Sequence, residues 1–172
     1  LTAPGLNQQQ RGKVLEVTAA CVQAAREIYA RDFAPVEVRF DLSGTAAGMY
    51  RVTGPRRCIR YNPWIFARYF EDSLAETVPH EVAHYVVDCL FGLRRVRPHG
   101  AEWKGVVQAL GASGRASACY DLSGLPLRRQ RRFPYRCRCR IHQLSACRHH
   151  RVQRGESHYL CRYCHSQMVY AG

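Results

Sequence analysis

The sequence predicts an α+β chain in two parts, and three observations predict it. Apolar residues recur at helical spacing in three stretches. They alternate over a short stretch between the first two. Near the C-terminus both patterns give way to close Cys and His pairs set among arginines. The first part, residues 7–124, is expected to pack helices on a sheet of about three strands. The second, residues 125–172, is expected to be a small unit held by metal. A length of 172 residues suits one domain with an appendage, and 47% apolar residues can build a core. No apolar run approaches the roughly 18 residues that cross a bilayer. The opening LTAPGLNQQQRGKV lacks the basic-then-apolar order of a secretory leader. A cytoplasmic protein with no membrane partner is expected.

The elements follow in order. Val14, Val17, Cys21, Ala24 and Ile28 mark a helix over residues 8–31, with Asn7 as N-cap. Ala34-Pro35 breaks it. Val36–Leu42 alternates as a strand with Val36, Val38, Phe40 and Leu42 on one face. Met49–Val52 and Cys58–Tyr61 read as two more strands about a turn at Thr53-Gly54-Pro55, and Pro63 can open a helix through Phe70. Ser73-x-x-Glu76 fits a capping box for a helix whose apolar face is Leu74, Val78, Val82, Val86 and Leu90, ending at Gly92. Pro79 inside it predicts a kink or restart. Gly100–Leu110 is helical through Trp103, Val106, Val107 and Leu110, with Gly111 as its cap. Residues 111–124, rich in Gly, Ser and Ala, read as a linker. Trp64, Phe66, Tyr69, Phe70, Phe91 and Trp103 are expected in the core rather than in a pocket. There is no internal repeat.

The net charge is +13, and residues 128–162 carry eleven arginines against one acid, Glu156, so +10 of it lies there. Only Lys13 and Lys104 are lysines. Arginine presents a planar fork of donors that suits phosphate, so a polyanion partner is expected: nucleic acid, DNA in the first instance, held by residues 128–165. The run Arg128, Arg129, Arg131 and Arg132 leads into this region, and Tyr135, Tyr159 and Tyr163 are interleaved with the arginines as candidate base-stacking residues or as packing. The plainer alternative is a solubilising face. Nine cysteines, an odd number, favour metal over disulfides if, as expected, the chain is not secreted. Cys21, Cys58, Cys89 and Cys119 read as small apolar residues.

His80-Glu81-Val82-Ala83-His84 is H-E-x-x-H. On a helix, residues four apart share a face, so His80 and His84 can grip one metal. Glu81 lies off that line, placed to take a proton from a zinc-activated water as it attacks a carbonyl, which is the metalloprotease reading of the motif. A third ligand is needed. Asp88, one turn beyond His84, suits orientation of a ligand better than ligation. Glu102 can simply favour its helix dipole. His99, at the head of the next helix, is the favoured ligand.

Cys161-x-x-Cys164 has the spacing of a zinc knuckle, and Cys139-x-x-His142 has the same gap upstream. Cys137 with Cys139 is the alternative half. Residues 152–160 are expected as hairpin strands around Gly155. Two zinc ions are therefore expected, one catalytic and one structural, the second supplying folding energy to its unit.

VPHEVAHYVVD, RPHGAEW and YRCRC…HQLS…RHHRVQRGE…YLCRYC, with GTAAG and IRYNP upstream, together resemble the SprT/Spartan metalloproteases, in their bacterial SprT branch. The resemblance implies a zincin-type catalytic domain followed by a zinc ribbon. It implies His80, His84 and His99 as ligands and Glu81 as the catalytic carboxylate. Eukaryotic relatives cut proteins crosslinked to DNA, which implies protein substrates bound or crosslinked to nucleic acid here. The family's R-R-H-N-R is Cys147-Arg148-His149-His150-Arg151 in this chain, and the glycine after its last knuckle cysteine is His165. Cys147, His150 and His165 therefore compete as ribbon ligands beside Cys139, His142, Cys161 and Cys164. A monomer is expected. Two rivals remain: a non-enzymatic zinc-containing nucleic-acid-binding factor, in which Glu81 has no role, and a zinc hydrolase of small amides indifferent to DNA.

Overall fold

Why the first unit builds a frame around one helix is visible in its burial pattern. The computed structural model describes residues 5–117, 119–127 and 131–172, and the chain divides into two compact units, Leu1–Leu127 and Arg128–Gly172. In the first, helix α1 (Gln8–Tyr29) starts at Asn7, whose side chain accepts from Gln10 N while the Gln10 side chain answers the Asn7 N–H, a reciprocal capping box. Its buried stripe is Val14, Thr18, Val22 and Ala25, and Ile28 is exposed, so the face is turned by about one residue from the one expected. The reason is Thr18. Its hydroxyl donates to Val14 O and lies 3.1 Å from the Tyr61 hydroxyl, which lets a polar residue occupy a core position.

Three strands follow: β1 (Glu37–Arg39), β2 (Gly48–Thr53) and β3 (Arg56–Tyr61), in the order β1-β3-β2. β3 runs parallel to β1, with Val38 opposite Ile59, and antiparallel to β2, with Tyr50 opposite Ile59. The β2–β3 turn passes through Gly54 at φ 59. β1 is shorter than the alternation of residues 36–42 suggests: Phe40 and Leu42 still pack inward, but pairing ends at Arg39.

Asn62, fully buried, caps α2 (Pro63–Arg68) through Trp64 N and Ile65 N. With its amide it also ties down the carbonyls of Gly44 and Ala46. A short α3 (Phe70–Asp72) runs into a π-helical turn (Ser73–Thr77) and then α4 (Val78–Phe91). Ser73 is thus inside a continuous helical path, not an N-cap. The restart predicted from Pro79 takes the form of this π turn, because proline lacks the N–H that an unbroken α ladder needs there. α4 buries Val78, Val82 and Val86 completely, and Gly92 ends it at φ 79. α5 (Ala101–Ala109) buries Trp103, Val106 and Val107 against α4. Phe66 and Trp103 are core, as expected, but Phe91 is exposed at the end of its helix and Tyr69 lines a cavity. The described residues of 113–123 are no free linker: Ser113, Tyr120, Asp121 and Ser123 hydrogen-bond to side chains of residues 68–76.

The second unit is a three-stranded sheet, β4 (Arg132–Arg136), β5 (Ile141–Ser145) and β6 (Val169–Tyr170), ordered β5-β4-β6, with one helix, α6 (Ala146–Gln153). The helix replaces the first arm of the expected hairpin. Ser145 stands at its N-cap and Gly155, at φ 72, follows its last turn, the ordinary start and stop signals. Its buried His149 stacks on Phe133 at 3.7 Å and lies 3.1 Å from the Tyr135 hydroxyl. Among the described residues no helix is long and apolar enough to cross a membrane.

Candidate functional site

α4 delivers His80 and His84 on one face, one turn apart, and the loop before α5 returns His99 to them. His99 adopts a left-handed backbone, φ 55, which an L residue takes only when its surroundings compel it. The next residue must be small: a Cβ at Gly100 would stand 2.9 Å from the Arg97 carbonyl oxygen. The three Nε2 atoms lie 3.3 Å (His80–His84), 3.1 Å (His84–His99) and 3.1 Å (His80–His99) apart. Two ligands of a tetrahedral zinc at about 2.0–2.1 Å stand about 3.4 Å apart, so the triangle fits that ion. Trp103 floors the cluster, its ring 4.6 Å from those of His80 and His99 and 5.4 Å from that of His84, and its indole N–H donates to the His80 carbonyl.

Burial, joined at His80 and His84 by the neighbouring rings, favours the neutral form of all three imidazoles. His80 is pushed down to about 4, by desolvation and then His99. His84 is pushed down to about 3, by desolvation and then His80 and His99, and desolvation lowers His99. Neutral rings with their nitrogens turned to one point are ready ligands.

Glu81 is 5% exposed and lies against Gly48, where a Cβ would stand 2.6 Å from its Oε1. Desolvation raises its pKa to about 8, opposed by a hydrogen bond from the Tyr50 backbone. It lines, with His80, a cavity of about 540 Å³ whose other walls are the Thr45–Gly48 loop, Tyr69, Asp72, Glu76 and Thr77 ahead of and in the π turn, and residues 115–120, apart from the undescribed residue 118. Sequence reasoning passed over Gly48, Asn62 and this segment. The signal for the first two was present in GTAAG and IRYNP, but why the loop needs a glycine and an asparagine shows only when Glu81 and the carbonyls of Gly44 and Ala46 arrive beside them.

Asp88 touches no histidine among its described partners. It accepts from the Tyr50 hydroxyl (2.8 Å), Arg57 Nε (2.7 Å) and Leu93 N (3.3 Å), fastening the end of α4 to the sheet. Burial works against its charge, yet these donors hold its pKa below the usual value. Glu102 is an exposed residue of the first turn of α5, outside the histidine cluster.

In the second unit Cys139, Cys161 and Cys164 come together, and the fourth member of their group is Cys137, not His142. Cys137 Sγ is 3.4 Å from Cys139 Sγ, and Cys139 Sγ is 3.7 Å from Cys161 Sγ, near the separation of about 3.8 Å for thiolates on one zinc. His142 stands beside them, its Nε2 3.3 Å from Cys137 Sγ. The one-residue gap misled the sequence reading. β4 ends at Arg136 and Cys137 N bonds back to Arg140 O, a tight turn that brings both sulfurs to one side. Cys147, His150 and His165 are exposed and outside the group. Both clusters, three His and four Cys, are compatible with zinc.

The nine described arginines between 131 and 162 are all exposed, and among the described residues only Arg154 pairs with an acid, Glu156. Arg128 and Arg129 lie outside the described residues. Tyr135 is fully buried and Tyr159 packs on the small core, whereas Tyr163 is 69% exposed with the Arg140 guanidinium 3.7 Å from its ring centre.

The SprT-like family's profile matches residues 18–128. The chain is similar to Protein SprT of Vibrio parahaemolyticus, 34% identical over 93% of this chain and 93% of that one. It is similar to Protein SprT of Pasteurella multocida, 32% identical over 95% and 93%, and to that of Shigella boydii, 39% identical over 81% of each. No solved structure matches. The His-x-x-x-His helix and the returning His99 lie within the matched residues 18–128, and membership suggests a metalloprotease-like role. The chain belongs to the SprT-like family.

Proposed function

We propose that the chain is a zinc metalloprotease that acts on proteins bound or crosslinked to nucleic acid, DNA above all. One observation carries the reading: three neutral imidazole nitrogens converge at 3.1–3.3 Å beside a buried carboxylate, at the wall of a cavity. A zinc ion held by His80, His84 and His99 would supply a Lewis acid that lowers the pKa of water toward about 7 and polarises a peptide carbonyl. Glu81 is the general base. Its desolvated carboxylate takes a proton readily near neutrality, and the same carboxyl can hand that proton to the departing amine. Gly48 gives Glu81 its place, and Trp103 holds the three rings apart from bulk water on one side. A structural zinc would have no use for a carboxylate buried at 5% exposure, which disfavours a purely binding role.

The four cysteines would hold a second, structural zinc in a zinc-ribbon unit. The exposed arginines of that unit would bind phosphate, and Tyr163 under Arg140 offers a face on which a base can stack. The test is cleavage of a DNA-bound protein by wild type and Glu81→Gln, with and without single-stranded DNA. The variant should retain zinc at both clusters and lose 10²–10⁴-fold in rate, the ordinary effect of removing a general base. Full activity in Glu81→Gln would reduce the cluster to a structural site. Activity indifferent to DNA would remove the nucleic-acid part of the reading.

A further inference from the structure

Residues 92–98 join α4 to His99 and carry Arg94, Arg95 and Arg97, all three exposed. No acid occurs between Asp88 and Glu102. Among the described residues none of the three arginines pairs with a carboxylate. Phe91 and Leu93 leave apolar surface in water beside them. A merely solvated face intersperses both signs of charge and hides such side chains. Unpaired cations next to exposed apolar groups suit an anion that also offers flat apolar faces. The loop is fastened in place. Gly92 turns the chain at φ 79, and Leu93 N–H donates to Asp88 at 3.3 Å. Arg95 N–H donates to Gly92 O at 3.0 Å, Gly100 N–H donates to Arg97 O at 2.9 Å, and Val96 packs on the core. Asp88 also accepts from Arg57 at 2.7 Å, which brings the β2–β3 hairpin alongside, with Arg56 exposed on it. A loop already held this way loses little freedom when it binds.

Its place relative to the histidines decides what it can do. Arg97 is two residues from His99, at most about 7 Å along the chain. The cavity lies toward the start of α4, at His80 and Glu81, and the loop is tied to Asp88 near its end, seven positions and about 10 Å further along the axis. His84 stands between the two. We propose that residues 91–97 bind the phosphodiester backbone of the nucleic acid to which a substrate protein is attached, with Arg94, Arg95 and Arg97 on phosphates and Phe91 and Leu93 against a sugar or base. The proposal rests on the nucleic-acid reading of the chain. It adds to that reading a contact on the first unit itself, separate from the arginines of residues 131–162. Protein would occupy the cavity while its strand lies over the loop. Attachment to a strand would then bring a protein to the histidines whatever its own sequence.

The experiment uses the full chain loaded with zinc and a labelled single-stranded DNA oligonucleotide, with binding read by fluorescence anisotropy over a series of salt concentrations. It compares wild type with Arg94→Gln/Arg95→Gln/Arg97→Gln, with the same three positions changed to Lys, and with Lys13→Gln/Arg31→Gln/Arg39→Gln, which removes equal charge from exposed positions outside the loop. The loop glutamine variant should flatten the log–log salt slope by about 2, at about 0.7 per contact, and weaken binding at about 0.1 M salt by up to about 100-fold. The lysine variant keeps the charge and should keep most of the slope, with a smaller loss of affinity where the guanidinium fork is used. KM for a peptide joined to the oligonucleotide should rise more in the glutamine variant than KM for the free peptide. Thermal unfolding monitors the fold of each variant. If wild type binds DNA and the loop glutamine variant matches it in affinity and slope, the loop is no contact and the proposal is overturned, while the nucleic-acid reading stands on the arginines of the second unit. An equal loss in the Lys13, Arg31 and Arg39 variant also overturns it, because net charge and not the loop would then be responsible. If wild type shows no salt-dependent binding, the nucleic-acid reading itself fails and the role of the loop with it.

Discussion

Among the described residues, His80, His84 and His99 stand on eighteen buried hydrophobic residues, most of them from α1, β3, α4 and α5, while the four cysteines stand beside three, Phe133, Tyr135 and Leu144. In the first unit the donor atoms are put in place by packing: valines behind α4, Trp103 beneath the rings, Asp88 pinning the far end of the helix. A metal there would be added to a finished frame. In the second unit two five-residue strands, a short helix and a two-residue strand surround a stacked His149–Phe133 pair, too little apolar area to hold the turn at Cys137–Arg140 against the Cys161–Cys164 loop. There a metal would be part of the frame itself.

Metal removal should separate the two most sharply. A strong chelator is expected to abolish the tertiary structure of residues 131–172 while leaving the first unit folded, read as loss of amide dispersion for one set of residues and its retention for the other. Metal analysis should give close to two zinc per chain, falling toward one in Cys161→Ser/Cys164→Ser. A second unit that stays ordered without metal would break the comparison.

Gly48→Ala probes the first frame. The added Cβ would stand 2.6 Å from the Glu81 carboxylate, which must move. Displacement of a catalytic group by about 1 Å lowers rates by up to about 10²-fold. We expect a loss of 10- to 100-fold in kcat with zinc content unchanged. Wild-type rates would mean that the position of Glu81 is not set by this contact.

A smaller effect should appear on the surface of the second unit. Replacing Arg138, Arg140, Arg148 and Arg162 with Gln removes exposed, acid-free guanidinium groups. If each contacts one phosphate of a single strand, the log–log salt slope of binding should flatten by about 0.7 per contact. An unchanged slope, measured by fluorescence anisotropy at several salt concentrations, would place the nucleic-acid surface elsewhere.

The smallest expected effect is on pH. Desolvation, then the charges of His150 and Arg131, lowers the His149 pKa below its ordinary 6.5. The unfolded chain therefore binds the proton more readily, so this contribution to stability is complete above about pH 6.5 and is lost as the pH falls below it. Thermal scans of the second unit at pH 7 and pH 5 should show a larger drop for wild type than for His149→Phe, which keeps a ring on Phe133 but cannot titrate. Equal drops would mean that His149 does not set the acid sensitivity of this core.

Local patterns were legible wherever one segment carries both the signal and its partner. Asn7 and Gln10 answer each other, Val78, Val82 and Val86 share a face, and His80 and His84 are one turn apart, so a linear reading finds them. The same reading failed where the partner comes from far along the chain. Thr18 is in the core because the hydroxyl of Tyr61, 43 residues away, comes within 3.1 Å of its own. Cys137 joins the cysteine cluster in place of His142 because the turn after β4, not the residue spacing, decides which donors face Cys161.

What the sequence by itself determined is the two-part organisation of donors, three histidines around a motif helix and a cysteine-rich, arginine-rich tail, since ligand chemistry and charge are properties of residues. Only the tertiary structure decided that a Gly- and Ser-rich stretch expected as a linker is tied to Asp72 and Glu76 and walls the cavity beside Glu81, and that Gly48 must lack a side chain. Both depend on hydrogen bonds and excluded volume between residues more than 30 positions apart, which the fold creates and no local pattern contains.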